Sequence, residues 1–240
     1  MCERYLCLVA ATVGLRKRPR YYREIVRQMD VIGVGSLPIV ILTGFFTGAV
    51  LVLQSFSILA YYGAQNQTGK MVAFSLIREL GPVLAALMVA GRIGSAISAE
   101  LGSMVVSQQI DAMRALGTDP NKKLVAPRII ALILMLPLLT VAADIFGLIG
   151  SGIVANQLFS LDYNVFITSA REGVTVRNII VGLVKPLFFG LIIGIVACYK
   201  GLNTSGGTVG VGQATTKAVV LASIVTIILD FFLTRALQGM

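Results

Sequence analysis

Five long apolar stretches, at about residues 31–60, 72–106, 127–158, 177–199 and 214–237, account for most of this chain. A helix needs roughly 20 apolar residues to cross a bilayer, and each stretch meets that length. The second and third exceed it, so they tilt or continue past the hydrocarbon. Polar connectors separate them: AQNQTGK at 64–70, GTDPNKK at 117–123, SLDYN at 160–164 and GLNTSGGTVGVG at 201–212. Of the 240 residues, 56% are hydrophobic and only 13% are charged, against about a quarter charged in a soluble domain. The chain reads as an all-α integral membrane protein with no room for a separate soluble domain.

The net charge of +9 raises nucleic acid as a partner, but its placement argues against it. Arg16, Lys17, Arg18, Arg20, Arg23 and Arg27 crowd one N-terminal stretch, where an anionic leaflet is the simpler partner. No basic face interleaved with aromatics occurs. The apolar run Tyr5 to Leu15 precedes this basic cluster, the reverse of a cleaved signal peptide. Residues 1–30 are therefore expected to form an interfacial helical segment, broken near Pro19, and residues 31–240 a five-helix domain. With the N-terminus inside, Arg4 and that cluster join Arg114, Lys122, Lys123, Arg128, Lys200 and Lys217 on the cytoplasmic side, thirteen of the 20 Lys and Arg residues. The opposite connectors offer Lys70, Arg171 and Arg177. The positive-inside rule thus places the N-terminus in the cytoplasm and, after five spans, the C-terminus outside.

Cys2, Cys7 and Cys198 form no CxxC pair and there is no histidine, which argues against a zinc site or a disulfide framework. An odd number of spans argues against two inverted halves, and no internal repeat is visible. A pathway of useful size is most simply completed by pairing two copies. Gly44 and Gly48 form a small-xxx-small pattern that suits close helix packing, within the chain or at a dimer seam.

The segment from 78 to 120 concentrates the unusual chemistry. An apolar helix there carries Arg78, Glu79, Arg92 and Glu100, then gives way to an amphipathic stretch closed by Gly117 and followed by Asp119-Pro120. Intramembrane charges face a protein interior, a wet cavity or the membrane boundary. In Ser107 to Leu116, Ile110, Met113 and Leu116 make one apolar edge, while Gln108, Gln109, Asp111 and Arg114 are polar. This stretch is either a handle for a soluble partner or a turn that merely ends a helix.

Arg78 and Glu79, as neighbours on a helix, are not expected to bridge to each other. Lys185, placed at the start of the fourth span, is a candidate partner for Glu79, in a structural ion pair or at a ligand-handling mouth. Arg92 and Glu100, two turns apart on one face, and Asp144 and Asp230 are expected to pair inside the bundle, with substrate contact as the alternative. Leu51, Ser55, Ile58 and Tyr62, with Leu59 beside them, follow one face of the first span and offer either an acyl-chain surface or ordinary packing. Gly206, Gly207, Gly210 and Gly212 are expected in a flexible turn. No G-x-x-x-x-G-K-[ST] occurs, so any ATP must be hydrolysed by another polypeptide.

RELGPVLAALMVAGRIGSAISAELG, the SQQIDAMRALGTDP that follows, and TSGGTVGVGQATTKAVV at 204–220 closely resemble the MlaE family of ABC-transporter permeases, over roughly residue 20 to the end. The resemblance implies an inner-membrane permease of Gram-negative bacteria that moves phospholipids between inner and outer membranes. It implies an interfacial helix, five spans and a coupling helix at 107–116. It also implies a homodimer with a cytoplasmic MlaF-like ATPase that binds ATP and Mg, an MlaB-like STAS-domain protein on that ATPase, and an MlaD-like MCE-domain hexamer outside. Arg78, Glu79 and Lys185 match family positions near the lipid pathway. Family members often show Glu-Gln where this chain has Gln108 and Gln109. An ion-coupled carrier or channel without an ATPase is the competing function. An intramembrane enzyme lacks His, G-x-S-x-G and H-E-x-x-H, leaving only Asp144 and Asp230 as a formal pair.

Overall fold

The computed structural model describes residues 22–237, and among these every regular element is helical. The order is α1 (Tyr22–Tyr61), α2 (Gln65–Val106), α3 (Gln109–Ala115), α4 (Asn121–Phe159), α5 (Tyr163–Gly173), α6 (Val176–Leu202) and α7 (Gly207–Leu237). The helices α1, α2, α4, α6 and α7 are each long and apolar enough to span a membrane. Most of the expected interfacial segment, with Cys2, Cys7 and the first basic residues, lies outside the described residues. Residues 22–30, assigned to that segment from sequence, instead open α1 as one continuous helix.

Two further boundaries differ from the sequence reading. Helix α7 starts at Gly207, so Gly210 and Gly212 are helical and the turn between α6 and α7 is confined to 203–206. Gly206 and Gly207 have φ of +89° and +68°, which glycine adopts without a Cβ penalty and which makes the turn short. The second difference is α5, in a stretch read as a connector. Asp162 caps it by accepting the Asn164 N–H at 2.8 Å, and Phe166, Ala170 and Gly173 are its buried face.

Breaks in helix geometry have local causes. Helix α2 widens to π turns at Leu76–Leu80 and at Ala90–Gly94. The first precedes Pro82, whose ring would otherwise press on the carbonyl four residues back. Pro38, Pro137 and Pro186 lie inside α1, α4 and α6, each removing one ladder donor.

The chain divides into two compact units whose boundaries fall inside helices. The first holds residues up to Ser36, Ala86–Leu136 and those from Leu187 on. Its interior includes Leu101, Ile129, Leu132, Leu136 and Ile193, and Gly190 of α6 lies so close to Leu132 of α4 that a Cβ would strike backbone. The second holds Leu37–Ala85 and Pro137–Pro186. Its core of Val52, Val72, Ala73, Ala155, Leu161, Phe166 and Ala170 ties α1, α2, α4 and α5 together. Gly44 and Gly48 of α1 meet the backbone at Ala143 and Gly147 of α4. The small-xxx-small pattern therefore serves packing within the chain, the first of the two uses left open by sequence.

Candidate functional site

Within the second unit, Lys185 is fully buried and donates to Glu79. It lies well inside α6, about 14 Å of helix after Val176, and not at the start of a span as its sequence position suggested. Taking an ammonium out of water is costly without a partner, and the carboxylate of Glu79 supplies one. Arg78 also approaches Glu79, with Nε 3.8 Å from Oε1, contrary to the expectation that neighbours on a helix would not. The π turn that contains both residues is the reason, since a wider turn rotates less per residue and brings successive side chains closer. At that distance the contact is electrostatic and not a hydrogen bond. The Arg78 guanidinium also lies 5.4 Å from the centre of the Phe74 ring, a cation–π contact.

Phe74 lines an open cavity of about 400 Å³ with Leu59, Met71, Lys70, Glu172 and Asn178. The apolar stripe read on α1 divides here. Ile58 and Tyr62 are exposed, and Leu59 reaches the cavity. Leu51 packs against the unit's core and Ser55 is buried. Helix α1 is apolar all round, so spacing could not distinguish the face that the core of α2 and α5 claims. Tyr62 itself lies just past the helix end.

The short helix α3 belongs to the first unit. Gln108 turns the chain out of α2 with φ of +58°, and Ile110 is buried, anchoring the helix. That burial withdraws Ile110 from the partner-facing edge assigned from sequence. Gln108, Gln109, Asp111, Arg114 and Leu116 are exposed and Met113 is half-buried. Arg114 Nη1 donates to Asp111 Oδ1 at 2.9 Å. The end is a Schellman closure: Gly117, at φ +73°, donates to Arg114 O at 3.0 Å, and Thr118 donates to Met113 O at 3.0 Å. Asp119 Oδ1 then accepts the Asn121 N–H at 3.0 Å and starts α4. The result is a rigidly tethered surface bearing one large exposed apolar side chain, Leu116, among polar ones.

The remaining charges in the spans do not pair with one another as a set. Glu100 accepts from Arg128 at 2.8 Å. Arg128, counted from sequence only as a loop charge, is nearly fully buried and also donates to Leu124 O at 3.0 Å. Its signal was an arginine entering an apolar run, APRIIALIL. Arg92 donates to Ser36 at 2.9 Å and meets no carboxylate among the described residues. Asp144 lies against Gly81, where a Cβ would collide with it, and borders a small apolar cavity of about 200 Å³ with Ile77, Val141, Ile145 and Leu183. Asp230 is half-buried on α7 and engaged within the fold. Among the described residues no cluster of His, Cys, Asp and Glu could hold a metal ion.

The family described as Permease MlaE matches residues 25–236. A probable ABC transporter permease protein of Rickettsia typhi is 44% identical over 95% of this chain and 88% of its own length. The intermembrane phospholipid transport system permease protein MlaE of Haemophilus influenzae is 36% identical over 97% and 89%. The chloroplastic protein trigalactosyldiacylglycerol 1 of Arabidopsis thaliana is 36% identical over 94% of this chain and 65% of its own length.

Proposed function

We propose that this chain, which belongs to the MlaE permease family, is the membrane-embedded permease subunit of an ATP-driven phospholipid transporter. The names borne by the Haemophilus influenzae and Rickettsia typhi relatives support the phospholipid and the ATP-binding-cassette parts of that reading. In this reading two copies pair in a Gram-negative inner membrane, N-terminus in the cytoplasm and C-terminus in the periplasm. A separate MlaF-like ATPase binds ATP and Mg, an MlaB-like STAS-domain protein sits on it, and an MlaD-like MCE-domain hexamer faces the periplasm.

The observation that carries the proposal is the form of α3. A buried Ile110 and a closed C-terminus fix a short helix whose Gln109, Asp111, Arg114 and Leu116 all face outward. A partner that grips those side chains moves α3 as one piece. The movement passes along α2, the helix that carries Glu79 and Arg78 farther up. At that outer end Lys185 is a positioning residue, since it is buried and acts by holding Glu79. Arg78 and Glu79 stand where a zwitterionic headgroup would be met, while Ile58, Leu59 and Tyr62 offer apolar surface to acyl chains. Two of the acids an ion pathway could use are held in ion pairs, Glu79 with Lys185 and Glu100 with Arg128.

The test is a double substitution, Arg114→Glu with Leu116→Glu, in the complex reconstituted with its ATPase. Both side chains are exposed, and the Arg114–Asp111 pair contributes at most about 1 kcal/mol, so the melting temperature should stay unchanged. Lipid-stimulated ATP hydrolysis should fall at least about tenfold, as loss of a buried interface anchor does. Hydrolysis within about twofold of the parent would remove α3 as the lever.

A further inference from the structure

Arg92 is a span charge that meets no acid among the described residues. It lies in the π turn Ala90–Gly94 of α2, its residue is exposed, and its hydrogen bond is to the neutral hydroxyl of Ser36. The guanidinium rests on Gly35 of α1, where a Cβ would come within 2.6 Å of Nη2. Glycine at 35, serine at 36 and the widened turn together fix the direction of the fork while leaving most of its donors unused.

Its depth makes this unusual. Of the twenty residues between Glu79 and Glu100 in the sequence Arg92 alone is charged, and about twenty apolar residues is the length a helix needs to cross hydrocarbon. Arg92 lies about 12 Å inside the Glu100 boundary, deeper than an arginine can reach out of. A guanidinium held there is costly unless an anion comes to it. In the same unit Glu100 is taken by Arg128. Asp30 lies about 9 Å along α1 from Ser36, toward the helix start. Val211 of α7 packs beside Gly102, so Asp230 lies about 13 Å of helix rise beyond the level of Arg92. A second copy placed side by side in the membrane keeps each of these three acids at its own depth, so none of them comes nearer to this level.

We infer that Arg92, oriented by Ser36 and Gly35, is a deep phosphate site: it receives the phosphodiester of a phospholipid that has left the leaflet surface. This rests on the phospholipid reading above and assigns that substrate a station of its own, distinct from Arg78 and Glu79. A guanidinium offers two parallel N–H donors that match two phosphate oxygens, which an ammonium cannot do. Free phosphate does not enter hydrocarbon at this depth, so the phosphodiester arrives on a lipid.

The experiment uses the full complex in membranes labelled with ³²P-phospholipid. A benzophenone amino acid replaces exposed Ala96, one turn from Arg92, or, in a second arm, Met71 at the outer cavity. Irradiation should give a ³²P adduct at Ala96 that carries the mass of an intact phospholipid and is not displaced by millimolar inorganic phosphate. Arg92→Gln should reduce it about tenfold, Arg92→Lys should retain part of it, and the Met71 adduct should persist in both. An Ala96 adduct indifferent to Arg92→Gln is bulk lipid and overturns the site. So does a protein–protein adduct at Ala96, which would mean a second copy faces Arg92, and so does displacement by phosphate. Loss of the Ala96 adduct with Met71 still labelled is the expected result for Arg92→Gln. Absence of label at both positions in the parent chain removes the phospholipid reading itself.

Discussion

At the residue scale the decisive object is the Glu79–Lys185 pair, because a buried ammonium has few acceptable environments. Removing one partner of a buried pair costs about 3–5 kcal/mol, whereas replacing both by apolar or neutral groups can be nearly neutral. Lys185 is fully buried while a third of the Glu79 side chain is exposed, so the two singles should differ. Glu79→Gln strands the buried charge and should lower the melting temperature in detergent most. Lys185→Met should cost less, since Glu79 keeps partial solvent and Arg78. The Glu79→Gln, Lys185→Met double should recover part of the loss. Additive effects of the two singles would show that the pair contributes no coupling. The pair was legible in sequence, since Glu79 and Lys185 each interrupt an apolar run. Arg128 was not, because its place beside Lys122 and Lys123 made it look like one more loop charge, and only the fold brings Glu100 to it.

At the element scale, contact between helices rests on what is absent from glycines. Gly48→Ala would drive a methyl into the backbone at Gly147, with no flexible side chain to give way. Overpacking of this kind costs about 1–3 kcal/mol and should appear as a clear drop in thermal stability. Gly91→Ala meets open space and should be neutral or slightly stabilising, because alanine is the better helix former by about 1 kcal/mol. Equal effects at the two positions would mean α1 and α4 do not pack at Gly48. The spans were easy to read from apolar length, and α3 from its Gly117 closure and Asp119-Pro120 start. Helix α5 was missed because Phe166 and Ala170 are few apolar signals among polar residues, and only contact with Gly69 and Ala73 on α2 gives them a face to bury. The inward turn of Leu51 and Ser55 was hidden for the opposite reason: α1 is apolar all round, so no polar side marks which face points out.

At the scale of the whole molecule the governing quantity is the sign of charge in the connectors. The α2–α3–α4 and α6–α7 connections and the helix ends beside them carry Arg114, Lys122, Lys123 and Lys200, with the acids Asp111 and Asp119, while the α1–α2 and α4–α5–α6 connections and their helix ends carry Lys70, Arg171 and Arg177, with the acids Asp162 and Glu172. Lys70 is paired with Glu172 at 3.5 Å, as Arg114 and Lys122 are with Asp111 and Asp119, so pairing leaves the count of Lys and Arg as the deciding quantity. Short loops rich in Lys and Arg stay in the cytoplasm, so Asn66 should face outward and Thr118 inward. Both residues lie in polar stretches, Asn66 exposed at the start of α2 and Thr118 half-buried between α3 and α4. Cys198 is buried and should be silent to a thiol reagent; Cys2→Ser and Cys7→Ser remove the other two native thiols. In that background Asn66→Cys should react in intact spheroplasts with a membrane-impermeant maleimide, and Thr118→Cys only after permeabilisation. The reverse pattern would put α3 on the side without ATP and rule out the coupling role proposed for it, even though its geometry would be unchanged. Labelling of Asn66→Cys alone in intact cells places Arg114 and Leu116 where an ATPase can grip them and the Arg78–Glu79 end toward the opposite compartment.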